Sequence, residues 1–200
     1  YISVALCHRG QRLSDQPFAA KYPGLLTSGI DSQRNYIYRS IVADCLRVMD
    51  YLVSCDDVDS QKISLVGGDL ALFTAALRDS ASVLFYTPSL FYKALHKATA
   101  TQNYPLEEFN DYLRSFPESI DQISQTLAYF EPMNFASRVK SEVMLMEESE
   151  GDANDLAVSF AREIERSGSK HSSYKDGVVL AEWLSKKLQT GDTLVPMHWR

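Results

Sequence analysis

At 200 residues, with 45% apolar and 23% charged side chains, the chain has the composition of an ordinary soluble globular protein. That length buries one sizeable core, which predicts a single domain over 1–200. A net charge of −6 with no basic stripe argues against a nucleic-acid partner, and no apolar run is long enough for a membrane span.

Ile2 to Cys7 is a continuous apolar run, the pattern of a strand buried on both faces. Residues 12 to 35 carry Pro17, Pro23, Gly24 and Gly29 with little periodicity and read as a long ordered loop. From about Tyr36 the spacing of Ile37, Ile41, Cys45, Met49 and Leu52 makes one apolar helical face. Asp56-Asp57-Val58-Asp59 ends that helix. Ile63 to Val66 follows as a buried strand, Gly67-Gly68 as a sharp turn, and Leu70 to Leu77 as a short, mostly apolar helix.

Ser82 to Tyr86 is the next strand, stopped at Pro88. Residues of about 89–135 change character: Leu106 to Phe116 and Ile120 to Phe130 have helical periodicity, with prolines near their starts, and read as a helical insertion. Its aromatic residues, Phe91, Tyr92, Tyr104, Phe109 and Tyr112, with Tyr86, line a pocket or form the insertion's core. Val143 to Met146 returns as a strand before the acidic loop Glu147 to Asp152, and helices over Leu156 to Ile164 and Val178 to Leu188 close the chain. Strands alternating with helices imply a mostly parallel sheet with helices on both faces.

Cys7, Cys45 and Cys55 are widely spaced and odd in number, and they form no metal-type pair. Cys7 in a strand and Cys45 on an inner helix face act as small hydrophobes. A reducing, cytoplasmic location is expected rather than secretion, with no secretory signal preceding the fold. No cofactor and no metal are expected. The run Glu147, Glu148, Glu150, Asp152, Asp155 lacks the ligand alternation of a calcium loop and reads as a solvated acidic loop. Val66-Gly-Gly-Asp69 lacks the glycine spacing of a nucleotide-binding turn.

Arg9-Gly10-Gln11, Pro23-Gly-Leu-Leu-Thr-Ser-Gly-Ile30, Tyr36-Ile-Tyr-Arg39 and Asp44-Cys-Leu-Arg-Val-Met-Asp50 together resemble one family, as do Val58-Asp59, Leu70-Ala-Leu72 and Tyr129-Phe-Glu-Pro-Met-Asn-Phe-Ala136. That family is the acetyl xylan esterases and cephalosporin C deacetylases, a carbohydrate-esterase branch of the α/β-hydrolases. The resemblance runs from about Tyr1 to Asp152. It implies an α/β-hydrolase fold, an acetyl ester of a carbohydrate or other small molecule as substrate, and a tendency to homo-oligomers. Members of the family carry additional N-terminal strands with a loop contributing to the oxyanion hole, and the chain is expected to lack them.

In the family an Arg-Gly-Gln motif supports the active site, a Gly-x-Ser-Gln-Gly elbow supplies the nucleophile, and an acid and a His-Glu motif complete the triad. The resemblance places Arg9 and Gln11 in the first role and Asp69 at or beside the missing serine. Leu70 carries the remaining oxyanion N–H, Asp152 is the acid and His171 the base, although Ser172 follows it. Losing one oxyanion donor reduces rates by about a hundredfold to a thousandfold.

Asp69 has two readings: a carboxylate nucleophile, as in some α/β-hydrolases, or an N-cap for the helix it opens. The cap is favoured, with bonds expected to the backbone near Ala71 or Leu72. Between Asp152 and His171 only one helix and the short polar stretch Ser167 to Lys170 remain, so the last core strand is expected to be missing and His171 to be a surface loop residue. His8, beside Arg9, reads as structural. The function expected is that of an acetyl esterase-like chain with reduced or lost catalysis. The alternatives are a non-catalytic binding or scaffold protein and an Asp69-nucleophile hydrolase acting on a halide or epoxide.

Overall fold

The structure is a computed structural model that describes residues 2–149, 151–191, 195 and 198. Its frame is a parallel sheet of four strands in sequence order: β1 (Ser64–Gly67), β2 (Val83–Tyr86), β3 (Glu142–Glu147) and β4 (Glu165–Gly168). The register sets Gly67 beside Tyr86, Tyr86 beside Leu145, and Glu147 beside Gly168, so the strands end together along one edge. In a parallel sheet this C-terminal edge is where sites are built.

Period-two alternation along β2 explains the layers. Val83 and Phe85 face α8 (Ser173–Leu188) through Trp183 and Leu188, together with Met144 and Met146 of β3. Leu84 and Tyr86 face the other way, onto Leu72 and Ala75 of α2 (Asp69–Leu77) and Ala136. Helices therefore cover both faces, as expected. The long α1 (Ile37–Val53) packs against α2, burying Tyr38, Ile41 and Met49.

Between β2 and β3 lie four helices: α3 (Ala94–Thr99), α4 (Glu107–Ser115), α5 (Ile120–Ala128) and α6 (Met133–Ala136). They share an aromatic core with α1 and α2, in which Tyr36, Phe73, Phe91 and Phe130 meet at tilted or edge-to-face angles. Phe109 is fully buried in that core and Tyr86 beneath α2, whereas Tyr104 is 63% exposed. The insertion's aromatic residues thus divide between core and surface. The long loop before α1 is held by Tyr36, whose hydroxyl donates to the Leu26 carbonyl, and by Glu108, whose carboxylate accepts from the Leu26 N–H. No helix among the described residues is long and apolar enough to cross a membrane.

Several expectations are corrected. Residues 2–7 form no strand: Ile2 is 70% exposed, Val4 55%, and Cys7 lies on the surface. An apolar run becomes a buried strand only beside a paired neighbour, and none of the four strands pairs with this one. The last strand is present. Glu165-Arg-Ser-Gly168 is polar because β4 is an edge strand held through β3 and through charge pairs, with Lys187 reaching Glu165 at 2.8 Å. The helix expected over Leu156 to Ile164 is only α7 (Asn154–Ala157), after which the chain turns so that Phe160 and Ile164 still reach the core.

Candidate functional site

β1 ends in Gly67 and Gly68 before α2 begins at Asp69. Gly67 has φ +152°, a backbone conformation favouring glycine. A Cβ on Gly68 would stand 2.4 Å from Ser89 Oγ, so glycine is needed there for a different reason, the close approach of the chain that follows β2.

The Asp69 side chain fills this junction and is 2% exposed. Oδ1 accepts from Tyr86 Oη at 2.8 Å and from the Ser89 N–H at 3.2 Å. Oδ2 accepts from Ser89 Oγ at 3.1 Å and from the Phe91 N–H at 2.6 Å. Ser89 Oγ in turn accepts from the Asp69 N–H at 3.2 Å. The expected cap is therefore corrected. Gly68 is the N-cap residue, no side chain caps α2, and the Asp69 carboxylate satisfies donors of the neighbouring loop instead of its own helix. The cause is the sheet order: β1 and β2 are adjacent, so the segment leaving β2 passes directly over the turn.

A second acid lies close by. Glu131 accepts from the Lys93 N–H through Oε2 at 3.1 Å, while Oε1 is buried and has no hydrogen-bond partner among the described residues. Burial pushes the Glu131 carboxyl above the usual glutamate range, and the nearby Asp69 charge adds to it. Burial, reinforced by Asp69, also raises the Tyr86 phenol, so Tyr86 remains a donor. Sequence reasoning missed Ser89 and Glu131, and it read Tyr86 as a pocket or core aromatic without its bond to Asp69. The signal for Ser89 was Pro88, which turns the chain sharply at the end of a strand adjoining the glycine turn.

Asp152 follows β3, as expected, and is exposed. Its carboxylate accepts from the Ser149 N–H, and its carbonyl accepts from Tyr92 Oη at 3.3 Å. His171 follows β4 and is exposed, with φ +51°, its N–H donating to Ser169 Oγ. The turn after β1, the acid after β3 and the histidine after β4 thus keep the order of a triad along one edge. The groups bonded to Asp69 are Tyr86, Ser89 and Phe91, and no hydrogen bond joins it to Asp152 or His171 among the described residues.

Arg9 makes a bidentate pair with Asp44 of α1, through Nε at 2.8 Å and Nη2 at 2.6 Å, and its guanidinium lies 4.7 Å from the centroid of the Phe18 ring. Gln11 is exposed, and its N–H donates to the His8 carbonyl. His8 is buried, with Nδ1 2.9 Å from the Arg9 carbonyl. Leu70 is half-buried in the first turn of α2, packed on the aromatic core.

The acidic loop is also corrected. Glu147 is 2% exposed, its carboxylate bound by Arg166 at 2.8 and 2.9 Å and by the Ala153 N–H at 3.0 Å. Burial alone would raise this carboxyl, but Arg166 and the backbone donors overcome it and hold it below the usual range. Asp155 pairs with Lys93 at 2.7 Å, and Glu150 lies outside the described residues. Burial pushes the Cys45 thiol up to about 11, which suits a small apolar filler.

The family model for acetyl xylan esterase (AXE1) matches residues 1–162. The chain belongs to the acetyl xylan esterase family. A relative, acetyl esterase Axe7A of Xylanibacter ruminicola, is 33% identical over 129 residues, which is 61% of this chain and 28% of that protein. The fold agrees with an acetyl xylan esterase from Paenibacillus sp. R4, at TM-score 0.73 and 24% identity over 89% of this chain and 63% of the other. It also agrees with acetyl xylan esterase 1 from Thermoanaerobacterium sp. JW/SL YS485, at TM-score 0.76 and 19% identity over 92% of this chain and 65% of the other. The α/β-hydrolase fold is thereby shown. This acetyl xylan esterase-family chain spans under a third of Axe7A and under two thirds of the two solved structures.

Proposed function

We propose that this chain is an acetyl esterase-like member of its family whose elbow has become a structural clasp, so that the family's serine chemistry on acetyl esters of carbohydrates is greatly reduced or lost. The observation supporting this reading is the state of Asp69. A nucleophilic carboxylate needs a free lone pair and an open approach to a substrate carbon. Asp69 offers neither: both oxygens accept two hydrogen bonds, and the residue is 2% exposed. The glycine turn presents no hydroxyl of its own, since Gly67, Gly68, Asp69 and Leu70 occupy it.

The remaining parts fit an inherited frame. Asp152 and His171 follow β3 and β4, and a base activates a nucleophile only within hydrogen-bond reach, about 2.6–3.2 Å, whereas the bonds of Asp69 go to Tyr86, Ser89 and Phe91. The Asp69-nucleophile hydrolase, with a halide or epoxide substrate, is disfavoured by the same burial. Turnover of 4-nitrophenyl acetate tests the reading. The expected result is hydrolysis no faster than that of a folded control protein; saturable turnover abolished by His171→Ala would overturn it.

A further inference from the structure

Ser89 brings to the glycine turn the hydroxyl that the turn itself lacks. Its Oγ lies 2.4 Å from where a Cβ on Gly68 would stand, so it fills the space of a side chain borne by the turn. Ser89 is exposed, and its hydroxyl donates at 3.1 Å to the carboxylate of Asp69, which is 2% exposed. An open hydroxyl held against a buried carboxylate is the pairing of a nucleophile with its base. The burial that denies Asp69 a role as nucleophile does not hinder this one, because the proton travels along a bond already formed.

The first turn of α2 supplies donors beside that hydroxyl. The Asp69 N–H donates to Ser89 Oγ at 3.2 Å and fixes its direction. The adjoining Leu70 N–H has no carbonyl partner, as expected in a helix's first turn, and is available to charge developing on a carbonyl oxygen. What the turn lacks is an acid for the leaving group, since the side chains and backbone groups bonded there include no imidazole. An ester whose leaving group departs as a stable anion needs none.

We propose that Ser89 is a nucleophile that accepts one acyl group from an activated ester, such as an aryl ester, with Asp69 as its base. The bond from Ser89 Oγ to the carbonyl carbon forms, and the bond from that carbon to the aryloxy oxygen breaks. The aryloxide leaves with the electron pair, and the hydroxyl proton passes to Asp69 Oδ2. With no imidazole bonded at the turn to activate water, the acyl group stays and the chain reacts once. This single acceptance is separate from the family's turnover and survives its loss.

Mass-spectrometric peptide mapping of the chain after exposure to 4-nitrophenyl acetate tests this. About one equivalent of nitrophenolate is expected, without continuing turnover, with the acetyl group on Ser89. Ser89 should react faster than Ser28 and Ser54, exposed serines whose hydroxyls bond no carboxylate among the described residues. Ser89→Ala removes the adduct, and Asp69→Asn slows its formation about a hundredfold. In urea the preference for Ser89 should vanish, a comparison that needs no variant to fold. The proposal is overturned if no adduct forms on Ser89, if Ser28 or Ser54 reacts as fast, or if the preference persists in urea. An unchanged rate in folded Asp69→Asn would also overturn it. Continued turnover that His171→Ala abolishes would overturn it as well, by showing that an imidazole serves the turn.

Discussion

Asp69 and Ser89 are joined reciprocally: the Asp69 N–H donates to Ser89 Oγ at 3.2 Å, while the Asp69 carboxylate accepts both the Ser89 N–H at 3.2 Å and the Ser89 hydroxyl at 3.1 Å. The arrangement resembles a capping box, except that it closes across two neighbouring strand ends instead of within one helix. It converts the loop after β2 from a free segment into a lid fixed over the glycine turn. The Phe91 N–H on Asp69 Oδ2 extends that hold to the start of the aromatic core.

Asp69→Ala should be strongly destabilising. It removes the acceptor for Tyr86 Oη and for two backbone N–H groups, one of them on fully buried Phe91. Each buried donor left without a partner costs about 1–3 kcal/mol, so a loss of about 3 kcal/mol is expected in urea unfolding. Asp69→Asn keeps one acceptor oxygen and should lose less.

Glu131 should make the native chain less stable as pH rises. Its folded carboxyl lies above the ordinary value of 4.5, so the folded state binds the proton more tightly than the unfolded one. The stabilisation is fully present below pH 4.5 and is lost as pH climbs through the raised folded value. Stability of Glu131→Gln relative to the native chain should therefore increase from about pH 4.5 upward, read by denaturant unfolding at several pH values. A flat difference would show that burial does not act on this acid.

Glu147 works with the opposite sign, because its folded carboxyl lies below the ordinary range. Its contribution is present above the unfolded value and is lost as pH falls through the folded one. Arg166→Ala leaves a carboxylate that is 2% exposed without its guanidinium. Breaking a buried pair typically costs about 3–5 kcal/mol, and the 36% exposure of Arg166 reduces the expectation to about 2 kcal/mol. Thermal unfolding at pH 7 reads this loss, which should shrink in acid.

Arg9 is expected to act on stability and not on turnover. Lys at this position cannot reproduce the two-bond fork to Asp44. Arg9→Lys should therefore cost about 1 kcal/mol and increase amide exchange around residues 8–14, whose turn depends on the pair.

The layers of the fold were legible in the sequence because Ile37 to Val53 carries a helical period and Val143 to Met146 is a continuous apolar run, as a strand buried on both faces requires. Two strands were misread for complementary reasons. Residues 2–7 have the composition of a core strand but no paired neighbour, whereas β4 has a neighbour but a polar composition. Pairing is a property of the sheet and is invisible in either segment alone. The turn itself was found from Gly67-Gly68-Asp69. The partners of Asp69 were not, because Tyr86, Ser89 and Phe91 lie some twenty residues away and meet it only through the adjacency of β1 and β2.

A double-mutant cycle between Asp69→Ala and Ser89→Ala tests the clasp most directly. Unfolding free energies of the native chain, the two single variants and the double variant give the coupling between the two side chains. The clasp predicts a coupling of about 1–2 kcal/mol, since each residue satisfies groups of the other. Additive losses, with no coupling beyond about 0.3–0.5 kcal/mol, would contradict it.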